Sequence, residues 1–186
     1  AKSISMLYPK DYLAWWLTGL KQSEPSDASG SGLFDCEQSV WSQDLCRKAK
    51  LPFEMLAPIV PSDGVRRAVR QDLAREFGFP ADCVVAGGAG DNAAAATGIG
   101  AVSCGRGQVS LGTSGVLLTV NDRWTPSPET AVHSFAHAVS GSYIQMGVTL
   151  TATDSLSWLS EVTGQEPAAL AELLPQTPQE PGELVY

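Results

Sequence analysis

The stretch from Val84 to Ala96 constrains the fold of this chain more than any other. A short β-branched run stops at three glycines, an acid and an amide follow, and an alanine-rich run then favours a helix. This order predicts a buried strand, a tight turn and a helix. Because glycine lacks a side chain, the turn can be sharp and another molecule can come close to its backbone.

Asp91 and Asn92 lie where the predicted helix begins. The unpaired N–H groups and the positive end of the helix dipole favour an ionised carboxylate at this point. A charged carboxylate at the carboxyl end of a strand, beside open space, suits a proton acceptor. The same residue is also typical of a helix cap, so the pattern alone leaves catalysis and capping equally open for Asp91.

The N-terminal half is predicted to be largely helical. Tyr8 opens a helix that Gly19 ends, and Ser42 is the expected N-cap of a short helix. Apolar residues at every fourth position predict an amphipathic helix from Val65 to Phe77, with Gly78 as its stop. Its basic residues alternate with acidic ones, which favours a solvated face: Arg66, Arg67, Arg70 and Arg75, with Asp72 and Glu76.

From Gly107 onward the pattern is typical of strands. Runs at 108–111 and 116–120 flank Gly112-Thr113-Ser114-Gly115, which predicts a β-hairpin. Its tip offers backbone N–H groups and two hydroxyls that suit phosphate oxygens, although most such sequences are ordinary turns. Further runs at 132–139 and 143–148 predict a three-stranded antiparallel meander. Helices at 151–162 and 168–174 and a linker at 175–182 follow.

The composition changes between Ser103 and Gly107, which is the best candidate for a domain boundary. The helix that begins at Asp91 is predicted to run to about Ser103. Residues 1–103 would then form one part of the chain and residues 104–186 the other.

Composition and spacing argue against several classes of partner. The net charge of −8, from 12 basic and 20 acidic residues, argues against nucleic acid or an anionic membrane. His133 and His137 would lie about 13 Å apart on one strand, too far for a shared metal ion. Four cysteines without a Cys-x-x-Cys pair favour reduced thiols in a cytoplasmic protein, and no apolar run is long enough to span a bilayer.

Three functions remain open from the residues alone. Gly88-x-Gly90-x-x-Ala93 fits a loose dinucleotide-binding pattern, but Asp91 would stand where the pyrophosphate has to dock. A non-catalytic interaction module would use Asp91 only as a helix cap. Phosphoryl transfer would pair a carboxylate base with a hairpin tip that holds phosphate, and such enzymes need little beyond positioning, charge neutralisation and a base.

Several segments resemble the FGGY family of carbohydrate kinases, and among its members the xylulokinases. The segment from Ala86 to Ala95 is similar to the catalytic-base motif of the family, and Ser110 to Gly115 is similar to its second phosphate motif. Asn92 after the acid favours xylulokinase over glycerol kinase, which usually has glutamine there. Other segments that resemble xylulokinases are Tyr8 to Leu13 with Leu17 to Gly19, Ala131 to Ala138, and Met146 to Val148.

The resemblance implies an α/β chain with part of the actin-like (ribonuclease-H-like) ATPase fold, the end of the first domain plus the start of the second. It implies that Asp91 takes the proton of a sugar hydroxyl that attacks the γ-phosphate of ATP, and that Asn92 binds the sugar. Gly112, Thr113 and Ser114 would hold the terminal phosphates, with Mg²⁺ accompanying ATP near Asp91. The implied reaction converts D-xylulose to D-xylulose 5-phosphate, and a homodimer of the parent protein is one arrangement that the resemblance allows.

The chain departs from the family pattern at both ends. The N-terminal Asp-x-Gly-Thr phosphate loop, the upstream sugar contacts and the C-terminal adenine-binding glycine motif are absent from this sequence. Ala89 stands where many relatives have glycine or no residue. The sequence also lacks an initiator Met, so we expect the middle of a longer kinase, inactive on its own.

Overall fold

A computed structural model describes residues 4–173. The helices are α1 (Pro9–Thr18), α2 (Pro25–Ala28), α3 (Gln43–Lys48), α4 (Gln71–Phe77), α5 (Asp91–Gly98), α6 (Thr153–Thr163) and α7 (Pro167–Glu172). The strands are β1 (Phe34–Asp35), β2 (Val40–Trp41), β3 (Val65–Ala68), β4 (Val84–Ala86), β5 (Gly107–Leu111), β6 (Gly115–Asn121), β7 (His133–Ala136) and β8 (Tyr143–Thr149). Short 3-10 turns lie at Ser29–Ser31, Phe53–Met55 and Pro128–Thr130.

Helix α5 covers one face of a four-stranded antiparallel sheet. Across β6 and β8, Leu118 pairs with Met146 and Val120 pairs with Ile144, so these side chains share a face. The buried core between sheet and helix consists of Leu118, Val120, Ile144, Met146, Ala93, Ala96 and Ala101. Because alanine side chains are small, α5 lies close to the sheet. This packing positions the start of α5 next to the sheet.

The hairpin predicted around the glycine-rich turn is confirmed, because β5 and β6 are antiparallel neighbours. The predicted meander of consecutive strands is wrong. The strand order is β5-β6-β8-β7, so β8 lies between β6 and β7. Alternation of apolar residues indicates which face of a strand is buried, but it carries no signal for the neighbour that the strand will take.

The predicted strand, turn and helix are confirmed as β4, the glycine loop and α5. Two details differ. Val84 is 54% exposed, so β4 is not the buried strand that its apolar run predicted. Helix α5 ends at Gly98 and does not reach Ser103, because Gly100 takes a left-handed φ of 80° and Ala101 N–H donates to Ala96 C=O at 2.8 Å.

The helix predicted from Val65 to Phe77 is wrong in its first half. Residues 65–68 form β3, which pairs antiparallel with β4, and only Gln71–Phe77 is helical. The predicted stop at Gly78 is confirmed, with a left-handed φ of 74°. The spacing of Val65, Val69 and Leu73 fits one helix face, yet pairing with a strand distant in sequence overrides this local preference.

Other local predictions are confirmed. Helix α1 ends at Gly19, Ser42 caps α3 by accepting a hydrogen bond from Leu45 N–H, and α6 ends at Gly164. The final residue of the predicted helix 168–174 and the predicted linker at 175–182 lie outside the described residues. The cysteines have free thiols. Among residues 4–173, no helix combines the length and apolar character needed to cross a membrane.

Candidate functional site

The loop between β4 and α5 is packed tightly against the turn that follows Pro61. Gly87 N–H donates to Gly64 C=O at 2.7 Å, and Gly88 N–H donates to Ser62 C=O at 3.0 Å. A Cβ atom at Gly87 would lie 2.1 Å from the carbonyl oxygen of Pro61, so no side chain fits there. The predicted tight turn is therefore also a close contact between two backbone segments of this chain.

Arg66 holds the start of this loop by hydrogen bonds. Its side chain is fully buried, and its Nε and Nη2 atoms donate to the carbonyl oxygen of Gly87 at 3.0 and 2.6 Å. Nη2 also donates to Asp11 Oδ1 at 2.5 Å, and Nη1 donates to Gln22 C=O at 2.6 Å. The prediction that Arg66 belongs to a solvated face is wrong, because β3 turns it toward a buried carboxylate.

Glu24 links the same loop to helix α2. Its buried carboxylate accepts hydrogen bonds from Ser26 N–H at 2.8 Å and Asp27 N–H at 2.9 Å, and so caps α2. The hydroxyls of Ser26 and Ser62 donate to it as well. Ser26 Oγ in turn accepts from Gly90 N–H at 2.9 Å. One carboxylate thus holds residues that contact both ends of the loop before Asp91.

Lys10 supplies a positive charge among three carboxylates. Its Nζ atom lies 2.8 Å from Asp11 Oδ1, 3.1 Å from Glu24 Oε1 and 3.4 Å from Asp27 Oδ2. Burial raises the pKa of Asp27, the positive charge of Lys10 opposes this, and the nearby carboxylates of Glu24 and Asp11 add to the rise. Together with Arg66, this cluster carries two positive and three negative charges.

Asp91 stands at the first position of α5, at the opening of a small cleft of about 70 Å³. Its Oδ1 atom accepts from Asn92 N–H at 2.7 Å and from Asn92 Nδ2 at 3.2 Å. The residue is exposed, and within the described part of the chain its carboxylate pairs with no cation. The lining also includes polar or small residues, Ser26, Asp27 and Gly90, and apolar ones, Phe135, Ile144 and Met146.

The predicted phosphate-binding turn lies at another place, at the end of β5. The carbonyl oxygens of Gly112 and Thr113 accept from Thr153 N–H at 3.0 Å and from Ala152 N–H at 2.7 Å, and Ser114 Oγ donates to Leu150 C=O at 2.9 Å. The turn is therefore braced against the start of α6. Within the described residues the Thr113 hydroxyl has no hydrogen bond, and the turn does not line the cleft of Asp91.

The two histidines lie in different environments. His133 is exposed on β7, whereas His137 is buried, with its Nε2 atom 2.9 Å from Ala101 C=O. Among residues 4–173, no three side chains of His, Cys, Asp or Glu are grouped to hold a metal ion. Mg²⁺ is typically held by one or two carboxylates together with substrate phosphates and water, and the uncompensated carboxylate of Asp91 fits that mode.

Comparison with known proteins decides the family. Residues 1–98 match the model of the N-terminal domain of the FGGY family of carbohydrate kinases. The chain belongs to the FGGY family. The resemblance expected from the motifs around Asp91 and the glycine-rich turn is thereby confirmed.

FGGY relatives of known name support this assignment. The chain is 38% identical over 159 residues to xylulose kinase from Klebsiella pneumoniae, covering 86% of this chain and 33% of the relative. It is 37% identical over 159 residues to xylulose kinase from Escherichia coli (strain K12), with the same coverage. A crystal structure of a "xyloylose kinase" from Brucella ovis superposes with a TM-score of 0.89 at 43% identity, covering 96% of this chain and 37% of that one.

The structural likeness also fixes the fold class. The chain has part of the actin-like ATPase fold of these FGGY sugar kinases. It spans about a third of the length of the curated relatives that it matches. The division into residues 1–103 and 104–186 stays a prediction.

The residues that support the loop before Asp91 were not predicted as a group from the sequence of this FGGY chain. Glu24 stands directly before a proline in the first turn of α2, and that position could have indicated a cap. Arg66 gave no local signal, because its partner Asp11 lies 55 residues away. The sequence allows a functional role for Asp27 but favours a residue that hydrogen-bonds its own turn, and only the fold places it beside Asp91.

Proposed function

We propose that this chain is the part of a sugar kinase that carries the proton acceptor for phosphoryl transfer from ATP. The reaction is the phosphorylation of a sugar hydroxyl, with D-xylulose as the substrate and D-xylulose 5-phosphate as the product. The carrying observation is an exposed carboxylate without a cationic partner in the described residues, Asp91, at the opening of a cleft in an FGGY chain. Xylulose kinases among the relatives support the choice of sugar.

In this proposal Asp91 accepts the proton of the attacking hydroxyl. The hydroxyl oxygen forms a bond to the γ-phosphorus of ATP, the bond to the β–γ bridging oxygen breaks, and ADP leaves. The hydrogen bonds from Asn92 hold one carboxylate oxygen, Oδ1, at 2.7 and 3.2 Å and leave Oδ2 for the substrate.

The remaining assignments belong to the same proposal. Asn92 binds the sugar beside Asp91. Gly112, Thr113 and Ser114 bind the terminal phosphates. Gly112 N–H already donates to Ser114 C=O at 2.9 Å, so the donors are the backbone N–H groups of Thr113 and Ser114 and the Thr113 hydroxyl, which have no partner in the described chain. Mg²⁺ supplies charge neutralisation when it accompanies ATP. The parent protein is cytoplasmic and acts on small molecules, and the net charge of −8 of this chain favours small molecules over nucleic acid.

The test uses the full-length parent protein. We expect D-xylulose to stimulate ADP release and to yield D-xylulose 5-phosphate, and we expect ATP with Mg²⁺, but not NAD, to raise the melting temperature. Stabilisation by NAD without sugar-dependent ADP release would favour the dinucleotide-binding alternative. A response to neither nucleotide would favour a non-catalytic interaction module.

A further inference from the structure

Asp27 lies directly against the residue that precedes Asp91. A Cβ atom at Gly90 would be 3.5 Å from Asp27 Cα and 3.6 Å from Asp27 Oδ1. Helix α2 therefore lies within van der Waals distance of the start of α5. This approach brings Asp27 and Asp91 to the wall of one cleft, together with Asn92.

The two oxygens of the Asp27 carboxylate differ in their partners. Oδ2 faces Lys10 Nζ at 3.4 Å, whereas Oδ1 accepts no hydrogen bond from any residue in the described chain. The side chain is 26% exposed, so a small polar molecule in the cleft can reach it. The backbone N–H of Asp27 donates to Glu24 Oε1 at 2.9 Å, which holds the backbone of Asp27 in place.

The environment gives Asp27 and Asp91 different chemical roles. Burial penalises the charge of the Asp27 carboxylate and raises its pKa, and the ammonium of Lys10 opposes this rise by stabilising the charged form. A partly desolvated carboxylate with one unused oxygen gains from a donated hydrogen bond. Asp91 has no cation beside it in the described residues and is left free to take a proton.

We infer that Asp27 is a sugar-binding residue whose Oδ1 atom accepts a hydrogen bond from a hydroxyl other than the one that is phosphorylated. This inference rests on the proposed function, and its ligand class is a polyhydroxylated small molecule. Asp27 then selects among sugars by the position of that second hydroxyl. Asp91 carries out the proton transfer, and Lys10 orients Asp27.

The test is a set of double-mutant cycles between the protein and the substrate. Full-length wild-type parent, Asp27→Asn and Asp27→Ala are assayed with D-xylulose and with analogues that each lack one hydroxyl. Because a hydrogen bond to a charged group is at stake, we expect Asp27→Ala to lower kcat/KM for D-xylulose by about 10- to 100-fold. Asp27→Asn retains an acceptor without the charge and is expected to give a smaller loss.

The diagnostic result is that the effect of the Asp27 substitutions on kcat/KM depends on the presence of one hydroxyl of the sugar. For the analogue that lacks the contacted hydroxyl, wild type and both variants should have nearly equal kcat/KM, and the KM for ATP should stay unchanged throughout. Equal losses on every analogue would overturn the inference, because they would show a general distortion of the site. Asp82→Asn, at an exposed aspartate outside the cleft, is the control and should behave as wild type.

Failure of this inference is distinguishable from failure of the proposed function. If the wild-type parent phosphorylates none of the sugars, the proposed function fails. If the wild type is active and the losses are uniform, only the role of Asp27 fails. Should Asp27→Ala not fold, as its melting temperature will report, the Asp27→Asn series gives the same discrimination with a smaller effect.

Discussion

At the scale of single residues, the position of Asp91 depends on charges that are buried behind it. Arg66 and Asp11 have fully buried side chains joined by a 2.5 Å contact. Arg66 also holds the carbonyl oxygen of Gly87 at the start of the loop. A substitution in this pair is therefore expected to shift the loop backbone and, with it, Asp91.

Loss of Arg66 should destabilise the protein strongly. Arg66→Ala removes the fully buried partner of the Asp11 carboxylate and leaves Lys10 as its one cation in the described structure; removing one partner of a buried pair costs about 3–5 kcal/mol in free energy of unfolding. Urea unfolding of the parent protein measures this change. Arg67→Ala on the same strand is the matched control, because Arg67 is exposed and makes no ion pair in the described structure. Equal stability of the two variants would contradict the account of the buried pair.

The pKa of Asp27 predicts a pH effect with a definite sign. Burial raises this pKa in the folded state, so folding binds the proton more tightly. The stabilising contribution is complete below the unfolded pKa of about 4 and is lost as the pH rises through the folded value. Asp27→Asn cannot titrate, so the difference in free energy of unfolding between wild type and variant should change over this window. A constant difference from about pH 4 to neutrality would contradict the raised pKa.

The sequence predicts a site at Asp91 and Asn92, which stays a prediction, but it does not indicate the residues that hold them. The pair is marked by a local pattern of glycines followed by an acid, an amide and alanines. Glu24 and Arg66 act through partners 38 and 55 residues away, Ser62 and Asp11, and such contacts leave no trace in local spacing. The alternating charges around Arg66 even indicated the opposite environment.

At the scale of elements, the glycine loop between β4 and α5 is fixed by close packing. Gly87→Ala would place a Cβ atom 2.1 Å from Pro61 C=O and 2.7 Å from Ser62 C=O. Since both obstacles are backbone atoms, the loop must shift, and we expect a destabilisation of about 1–3 kcal/mol with loss of activity in the parent. Thermal unfolding measures the loss of stability, and a coupled assay of ADP release in the parent measures the loss of activity.

Gly98→Ala is the control for this substitution within the next element. Gly98 lies in α5, where a Cβ atom would meet no other atom within 4 Å, and alanine favours a helix over glycine by up to about 1 kcal/mol. This variant should be as stable as wild type or more stable. If both variants gave the same loss, the contact with Pro61 would not be the cause.

Elements with local end signals could be predicted, and those set by distant pairing could not. Gly19, Gly78 and Gly164 end helices where their sequence position predicted. The segment at Val65 became a strand because β4 pairs with it, and β8 separated β6 from β7. In both places the deciding partner lies far along the chain.

At the scale of the whole molecule, we propose that the chain holds one part of a kinase site. It spans about a third of the curated relatives, and it presents Asp91 and the glycine-rich turn at separate places. We therefore predict that the 186-residue chain alone releases no ADP in response to sugar. Sugar-dependent ATP consumption by the purified chain would contradict this prediction.

The central claim is that Asp91 takes the proton of the sugar hydroxyl, and the turnover number of Asp91→Asn in the full-length parent tests it most directly. Asp154→Asn is the matched control, because Asp154 is also an acid in the first turn of a helix. General-base catalysis contributes about 100- to 10,000-fold, so D-xylulose-dependent ADP formation should fall by at least that lower factor while ATP affinity is retained. The control should keep its activity. Near-normal turnover by Asp91→Asn would contradict the account.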